Sequence, residues 1–529
     1  MAKSEDIADV IVVGAGASGA AFTWSLAQAG INVVCLEQGG WVPTDAFPTS
    51  DNDAQIHSQT DFHPNPSFRG LPEDYPINED GTPIAPLMYN AVGGSLIHWG
   101  AHFPRFHPSD FKVKTLEGVA DDWPVTYEEL EPYYDENDGM MGISGLRGDP
   151  AYPEKPERPC PPLSIKASGR LIAKALDKLG WHWWSSDSAI SSVTYDGREP
   201  DAVGHLRSSA GADLNYWPKA VNQGTRLITY ARVREISVDR SGKATGALYY
   251  DREGNLQEQR AKVVVMAANG IGTTRLLLNS KSVLFPNGLA NSSGLVGKNL
   301  MHHPTGVILG IFDEWLGTDE GARGSSMLSQ EFYETDANRG FVRGYTYQFQ
   351  RSLGPAWVAR GGFRDPVPWG KGHHTELQNR LGSMMSLAVI GEDLPELHNT
   401  VDLDPEMTDS DGIPAPRIHY TISRNSRDQL DHAIGNAKKV FEIAGAIDIF
   451  VDPMMELSGW HLMGTARMGD DPAGSVVNKW GQSHDVDNLF IVDGSVFVTG
   501  AAVNPTPTIQ ALALRTAEYI VANRSDLKA

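Results

Sequence analysis

The chain of 529 residues is 41% apolar and 21% charged, with a formal net charge of −22. This is a globular composition, long enough for about two to four domains, and unlike that of a disordered or collagen-like chain. The acidic balance speaks against nucleic acid or an anionic lipid surface as a partner. Two cysteines are too few for a disulfide framework or a cysteine-built cluster. MAKSEDIADV has no basic segment followed by an apolar one, and no run of about twenty apolar residues occurs, so the sequence predicts a cytoplasmic protein without direct membrane insertion.

In chain order, Asp9 to Val13 is a short apolar run suited to a buried parallel strand. Gly14, Gly16 and Gly19 follow with GxGxxG spacing, and Ala17 and Ser18 open a helix. Gly14 permits a tight turn, Gly16 lets the backbone approach a pyrophosphate, and Gly19 lets the helix lie close on the strand; the phosphates then sit at the helix's positive end. A second strand, INVVCLE, ends at Glu37, where a carboxylate accepts hydrogen bonds from a ribose 2′-hydroxyl and repels a 2′-phosphate. FAD and NAD both satisfy these residues, and the early placement in so long a chain fits FAD enzymes better.

From Gly40 to Pro86 the chain is rich in Pro, Asp and Asn without a sustained period, and reads as a long excursion over the cofactor. A Gly-rich turn from Asn90 to Phe106 precedes an amphipathic helix in PVTYEELEPYYDENDGMMG, with Thr126 and Glu129 as its capping box. A helix in SGRLIAKALDKLG leads to the aromatic run Trp181 to Trp184 and a loop to about Tyr216. Strands then fall in RLITYARVREISVD, ATGALYYD and AKVVVMAANGIG, with the helix TTRLLLNS behind, and the last strand and turn return to the first sheet. Residues 304 to 454 alternate strand-like and loop segments and end in a helix from Ser426 to Ala444, which predicts an antiparallel sheet. NLFIVDGSVF is a buried strand and turn, and TIQALALRTAEYIVANR a closing helix.

WHLMGTARMG carries His461 and AAVNPTPTIQ carries Asn504. Taking a hydride from an alcohol carbon requires the hydroxyl proton to leave as well, and a neutral imidazole titrates close to the working pH, so His461 is the candidate base. The Asn504 amide offers a donor and an acceptor to hold the same oxygen and favour its alkoxide character. Pro505 and Thr506 fix the turn beside the pair.

Taken together, GAGASG, VGGSLIHWGA, AANGIGTTRLLL, VGKNLMHHP, HLMGTARMG, LFIVDGSVF and NPTPTIQALA resemble, in order and spacing over most of the chain, the glucose–methanol–choline (GMC) oxidoreductase family. Asn504, where many members have a second His, is similar to the branch of pyranose and glycoside oxidases and bacterial gluconate, fructose or glucose dehydrogenases. The resemblance implies an α/β fold in which a discontinuous Rossmann-like FAD-binding domain (residues 1–45, 86–110, 210–303 and 455–529) carries an antiparallel-sheet substrate-binding domain (46–85, 111–209 and 304–454). It places Gly93, Gly94 and Ser95, with Trp99 and Gly100 beyond them, at the flavin, Val233 at the adenine and Asp493 at the ribityl–phosphate part. In covalently flavinylated pyranose oxidases the His matching His98 is bonded to the isoalloxazine, whereas other members with a similar sequence hold FAD non-covalently. Gly100 stands where that oxidase has a hydroxyl residue, which counts against efficient use of oxygen.

The implied reaction oxidises a secondary hydroxyl of a sugar or glycoside to a keto-sugar by hydride transfer to flavin N5, with electrons passing to oxygen, a quinone or another acceptor. The same motifs suit a primary or aryl alcohol oxidase, or the FAD subunit of a sugar-acid dehydrogenase with a small and a cytochrome subunit. Against the last, the loop from Tyr195 to Ala220 has no cysteine to hold an iron–sulfur centre. His302 and His303 are adjacent, so on extended backbone they face opposite ways and make a poor metal site; the resemblance makes them part of a flavin-side segment. Trp181 to Trp184 suit core packing better than sugar stacking, and Gly372 to His374 lie in a loop with no motif.

Overall fold

The computed structural model describes residues 7–47, 59–192, 209–319, 324–350, 353–359 and 367–525. It begins with β1 (Ala8–Val13), α1 (Ala17–Gln28) and β2 (Val33–Leu36). Then come α2 (Tyr127–Met141), α3 (Lys166–Leu179), β3 (Trp184–Ser185), β4 (Arg226–Ile228), β5 (Arg232–Val238), β6 (Ala244–Tyr250), β7 (Leu256–Met266) and α4 (Asn269–Asn279). The second half holds β8 (Thr305–Ile311), β9 (Ser325–Ser329), β10 (Tyr345–Gln350), β11 (Met384–Gly391), β12 (Thr400–Thr408), β13 (Pro414–His419), α5 (Arg424–Ala444), β14 (Asp448–Asp452), β15 (Leu489–Ile491) and α6 (Thr506–Asn523).

The first sheet runs β4-β2-β1-β7-β6-β5, with β15 also on β7. β4, β2, β1, β7 and β15 are parallel, and ADVIVV is a continuous apolar run because β1 is covered on both faces. β7 is long enough to serve two neighbours: Ala261 to Met266 pair with β1, while Leu256 to Arg260 pair antiparallel with β6. The closing helix α6 packs on α1, which brings the C-terminal segment back to the N-terminal turn.

The second sheet is antiparallel, in the order β14-β8-β11-β10-β9-β3. Helices α3 and α5 cover it through Ile172, Leu176, Val440 and Phe441 against Ile308, Leu387 and Val389. Two details depart from the sequence reading. The segment 304–454 does not form one sheet, because the β12–β13 hairpin stands apart and packs on α4, where Arg275 Nη2 donates to Asp409 Oδ2 at 2.7 Å. Helix α2, within the stretch 111–209 allotted to the substrate-binding domain, lies instead on α6; Asn137 donates to Gln510 Oε1 at 3.1 Å, and Tyr134 is hydrogen-bonded to Thr508 at 2.7 Å. Thr126 and Glu129 cap α2 reciprocally, as their spacing predicts. Of the cysteine-free loop, residues 195–208 lie outside the described residues. Among the described residues, no helix is long and apolar enough to cross a membrane.

Candidate active site

A cavity along the C-terminal edge of the first sheet is lined by Glu37 and Val233 and also by Trp460 and His461. Parallel sheets place their ligand sites at this edge. Gly14 sits at φ +106, and a Cβ there would lie 2.4 Å from Ala267 O; a Cβ on Gly19 would lie 2.0 Å from Gly14 O. Only glycine lets the turn, the β7 end and α1 meet this closely. At Gly16 the nearest atom to a Cβ is 4.0 Å away, so its missing side chain leaves room on the cavity side. No side chain caps α1 and no acid occupies its first turn, which leaves the helix's positive end open to an anion.

Glu37 is buried; its two oxygens accept from Ala15 N at 2.7 Å and Gly39 N at 2.9 Å. Burial pushes its pKa up to about 7. The carboxyl keeps lone pairs for ribose hydroxyls. Asp493, pushed upward by burial, accepts from Thr273 Oγ1 and from Ser495 N. The glycine cradle, the uncapped helix and these two acids suit a dinucleotide, and the cavity extends well past them toward His461.

Gly14, Gly16, Ala17, Ser18, Glu37, Gly94, Ser95, Val233, His461, Asp493, Pro505 and Thr506 all line this cavity. Gly19, Gly93, His98, Trp99, Gly100 and Asn504 do not. Gly19 and Gly93 act by letting segments approach, and Trp99 Nε1 donates to Ala210 O at 2.9 Å. Gly100 is exposed. The His98 ring is packed by Tyr89 and Phe62 and lies 6.3 Å from the ring of Trp460. Its Nε2 is buried without a partner, and burial lowers its pKa to about 3.

His461 and Asn504 meet as the two motifs predict, with Asn504 Nδ2 3.3 Å from His461 Nε2. Asn504 Oδ1 accepts from Gln348 Nε2 at 2.6 Å and from His102 Nδ1 at 2.7 Å, so the amide's NH2 is turned to the imidazole. On its other side, His461 Nδ1 lies 2.6 Å from Nδ1 of His303. Burial holds His461 well below the ordinary histidine pKa, helped by His303, His302 and His102 nearby. The imidazole is therefore neutral at neutral pH. The histidine pair behaves as its adjacency predicts: His302 turns to Tyr420 and His303 to His461. Among the described residues, no group of three or more His, Cys, Asp or Glu is placed to hold a metal ion. Trp181 packs on Phe332, and Trp183 and Trp184 donate to Asp177 and Leu146 O, away from the cavity. Gly372 begins an eight-residue surface helix, His373–Arg380.

His102 and Gln348 escaped the sequence reading as members of the site, and the resemblance places His303 in a flavin-side segment without its contact to His461. Gln348 comes from β10 of the second sheet, 156 residues from Asn504 in the chain, and His102 is 402 residues away. No local pattern marks such partners.

A fold of this kind, with an imidazole and an amide converging where a nucleotide-cofactor cavity ends, suits an oxidoreductase of CH–OH groups. Family models described as GMC oxidoreductase match residues 9–305 and 395–513, and the chain belongs to the GMC oxidoreductase family. It is 45% identical to a 2-methyl-1,2-propanediol dehydrogenase of Mycolicibacterium austroafricanum, over 100% of this chain and 97% of that protein. It is 30% identical to a fructose dehydrogenase large subunit of Gluconobacter japonicus, over 98% of each. A 6'''-hydroxyparomomycin C oxidase of Streptomyces lividus is also 30% identical, over 97% of this chain and 91% of that one. Among solved structures, pyridoxine 4-oxidase from Mesorbium loti superposes with a TM-score of 0.66 at 17% identity, covering 97% of this chain and 99% of that one. At such identity the likeness is one of fold. The family implies FAD as the cofactor.

Proposed function

We propose that the protein is an FAD-dependent dehydrogenase that oxidises a hydroxyl of a small 1,2-diol. The observation that carries the reaction type is the approach of His461 Nε2 and Asn504 Nδ2, at 3.3 Å, where the cavity ends. Gly14, Gly16, Glu37 and Val233 hold the nucleotide half of FAD, and Gly94, Ser95, Pro505 and Thr506 border its other half. When bound, FAD supplies the hydride acceptor. His461 takes the hydroxyl proton at Nε2, and the Asn504 amide donates to the same oxygen, so the negative charge that develops there meets a fixed dipole.

The diol reading rests on 45% identity, across the whole chain, to a relative named for such a substrate. The secondary hydroxyl of a sugar is the second reading, supported by the 30% identity to a fructose dehydrogenase large subunit. The relative at 45% identity is named a dehydrogenase, which favours a quinone or a docked partner over oxygen as the electron acceptor. Anaerobic mixing of the FAD-loaded protein with short 1,2-diols, sugars, glycosides and aryl alcohols decides among them. Fastest bleaching by a diol, with slow recovery in air, is the expected result; fastest bleaching by a sugar supports the second reading, and rapid recovery in air makes the enzyme an oxidase.

His98 is the residue we assign to a covalent bond with the cofactor, because its buried Nε2 is neutral and unpartnered close to cavity-lining Trp460. The protein then keeps its yellow colour after acid precipitation, and His98→Ala releases the colour to the supernatant. Colour released from the unaltered protein contradicts this assignment.

A further inference from the structure

His303 makes contacts that fix where its proton sits. Its Nε2 lies 2.9 Å from Ala501 O and 3.2 Å from Gly500 O. Carbonyl oxygens only accept, so this nitrogen carries the hydrogen. A neutral His303 then has a bare Nδ1, and the 2.6 Å contact with His461 Nδ1 is satisfied only if His461 donates. That leaves His461 Nε2 bare, facing the Asn504 amide donor at 3.3 Å. The far end agrees, since Asn504 Oδ1 accepts from Gln348 Nε2 and His102 Nδ1. Every hydrogen in the row points the same way, and reversing it would require a carbonyl to donate.

We propose that His303 is a positioning residue that sets the tautomer of His461 and takes up the charge formed there when a hydroxyl proton is removed. The inference rests on the reading of His461 as the base. In that step the substrate O–H bond breaks, an N–H bond forms at His461 Nε2, and the electron pair stays on the substrate oxygen. His461 Nδ1–H passes toward His303 Nδ1, and the positive charge moves onto a ring whose Nε2–H already meets two carbonyl oxygens. No electrons are exchanged in this proton movement.

Among the described residues, no carboxylate makes an ion pair with either ring. The groups around the two imidazoles are His302 and His102, with Asp393 held through the backbone N of His302 and through Tyr420 and Ser426. A second imidazole therefore stands where many catalytic histidines have an acid. Burial lowers the pKa of His303 to about 4 and pushes that of His461 well below the ordinary histidine value, so the resting pair is neutral, in keeping with the hydrogen-bond directions.

The test uses the FAD-loaded protein with nitrogen-15 in its histidine rings, the His461 signals being identified by their loss in His461→Ala. The spectrum is expected to show His461 protonated at Nδ1 and bare at Nε2. In His303→Phe the Nδ1–H loses its acceptor, the tautomers mix, and flavin reduction slows about 10²-fold with FAD content unchanged. His303→Asn places a carbonyl oxygen near the former Nδ1, so it restores the tautomer but, taking no proton, only part of the rate. A wild-type His461 protonated at Nε2 overturns the proposal, as does an unchanged rate in His303→Phe. Equal losses in the Asn and Phe variants also overturn it, because they reduce His303 to packing. The wild-type spectrum stands even if a variant fails to fold. Should His461→Ala reduce flavin normally, the base reading fails while the tautomer result remains.

Discussion

Replacing His461 with alanine lowers the rate of flavin reduction by substrate about 10²–10⁴-fold while FAD stays bound. The residues proposed to hold the nucleotide half of FAD, the glycine turn and Glu37, are not touched by the substitution. The loss falls on the proton transfer, since Asn504 can hold the substrate oxygen but cannot take a proton at neutral pH. The wild-type rate carries a matching pH signature. His461 must be neutral to act, and burial lowers its pKa well below 6.5. The rate is therefore flat through neutral pH and falls only as the pH drops through that lowered value. Stopped-flow reduction of the wild type and variant from about pH 5 to 8 reads both effects. An alanine variant as fast as the wild type, or an acid limb above 6.5, contradicts the assignment.

Arg343→Met costs about 3–5 kcal/mol of stability. Arg343 is fully buried between Asp110 and Glu392, themselves buried, donating to Glu392 Oε2 at 2.9 Å and to Asp110 Oδ1. Removing it leaves two enclosed carboxyls without their counter-charge. Even in its presence, burial raises Glu392 to about 7 and Asp110 in the same direction. Without it both rise further, and a group raised above its unfolded value loses stability as pH rises. The variant's deficit is thus largest at alkaline pH and shrinks toward acid. The damage reaches the site because Asp110 anchors the loop that carries Asn504: its carboxylate accepts from Tyr333 OH, which accepts from Ala502 N, and its carbonyl accepts from Thr499. Urea unfolding of both proteins at several pH values checks this; equal stability, or a deficit that grows toward acid, contradicts it.

How much of this was legible depended on whether a residue's partner was local. The turn from Gly14 to Gly19 could be read because strand, glycines, helix and Glu37 fall within thirty residues and each answers a steric or hydrogen-bonding need of a bound nucleotide. His461 and Asn504 were legible as chemistry before they were known to be neighbours. The rest of the row was not. His303 faces His461 because β8 begins just after it and Gly500 and Ala501 fold over its ring. Gln348 alternates along an ordinary buried strand, YTYQFQ, where a glutamine signals only some unseen partner. The β12–β13 hairpin misled for a related reason: its alternation is that of any strand, and it meets α4 through Val401 and Ile418 against Ile271 and the Arg275 to Asp409 contact across 134 residues.

The central claim is that the His461–Asn504 pair serves the oxidation of an alcohol by a flavin bound in this cavity. Anaerobic titration of the FAD-loaded protein with 2-methyl-1,2-propanediol, followed by its visible spectrum, tests this most directly. The account predicts loss of the oxidised-flavin band in proportion to diol added, and no such loss on the same timescale in His461→Ala. A spectrum unmoved by diols, sugars and simple alcohols alike would contradict it.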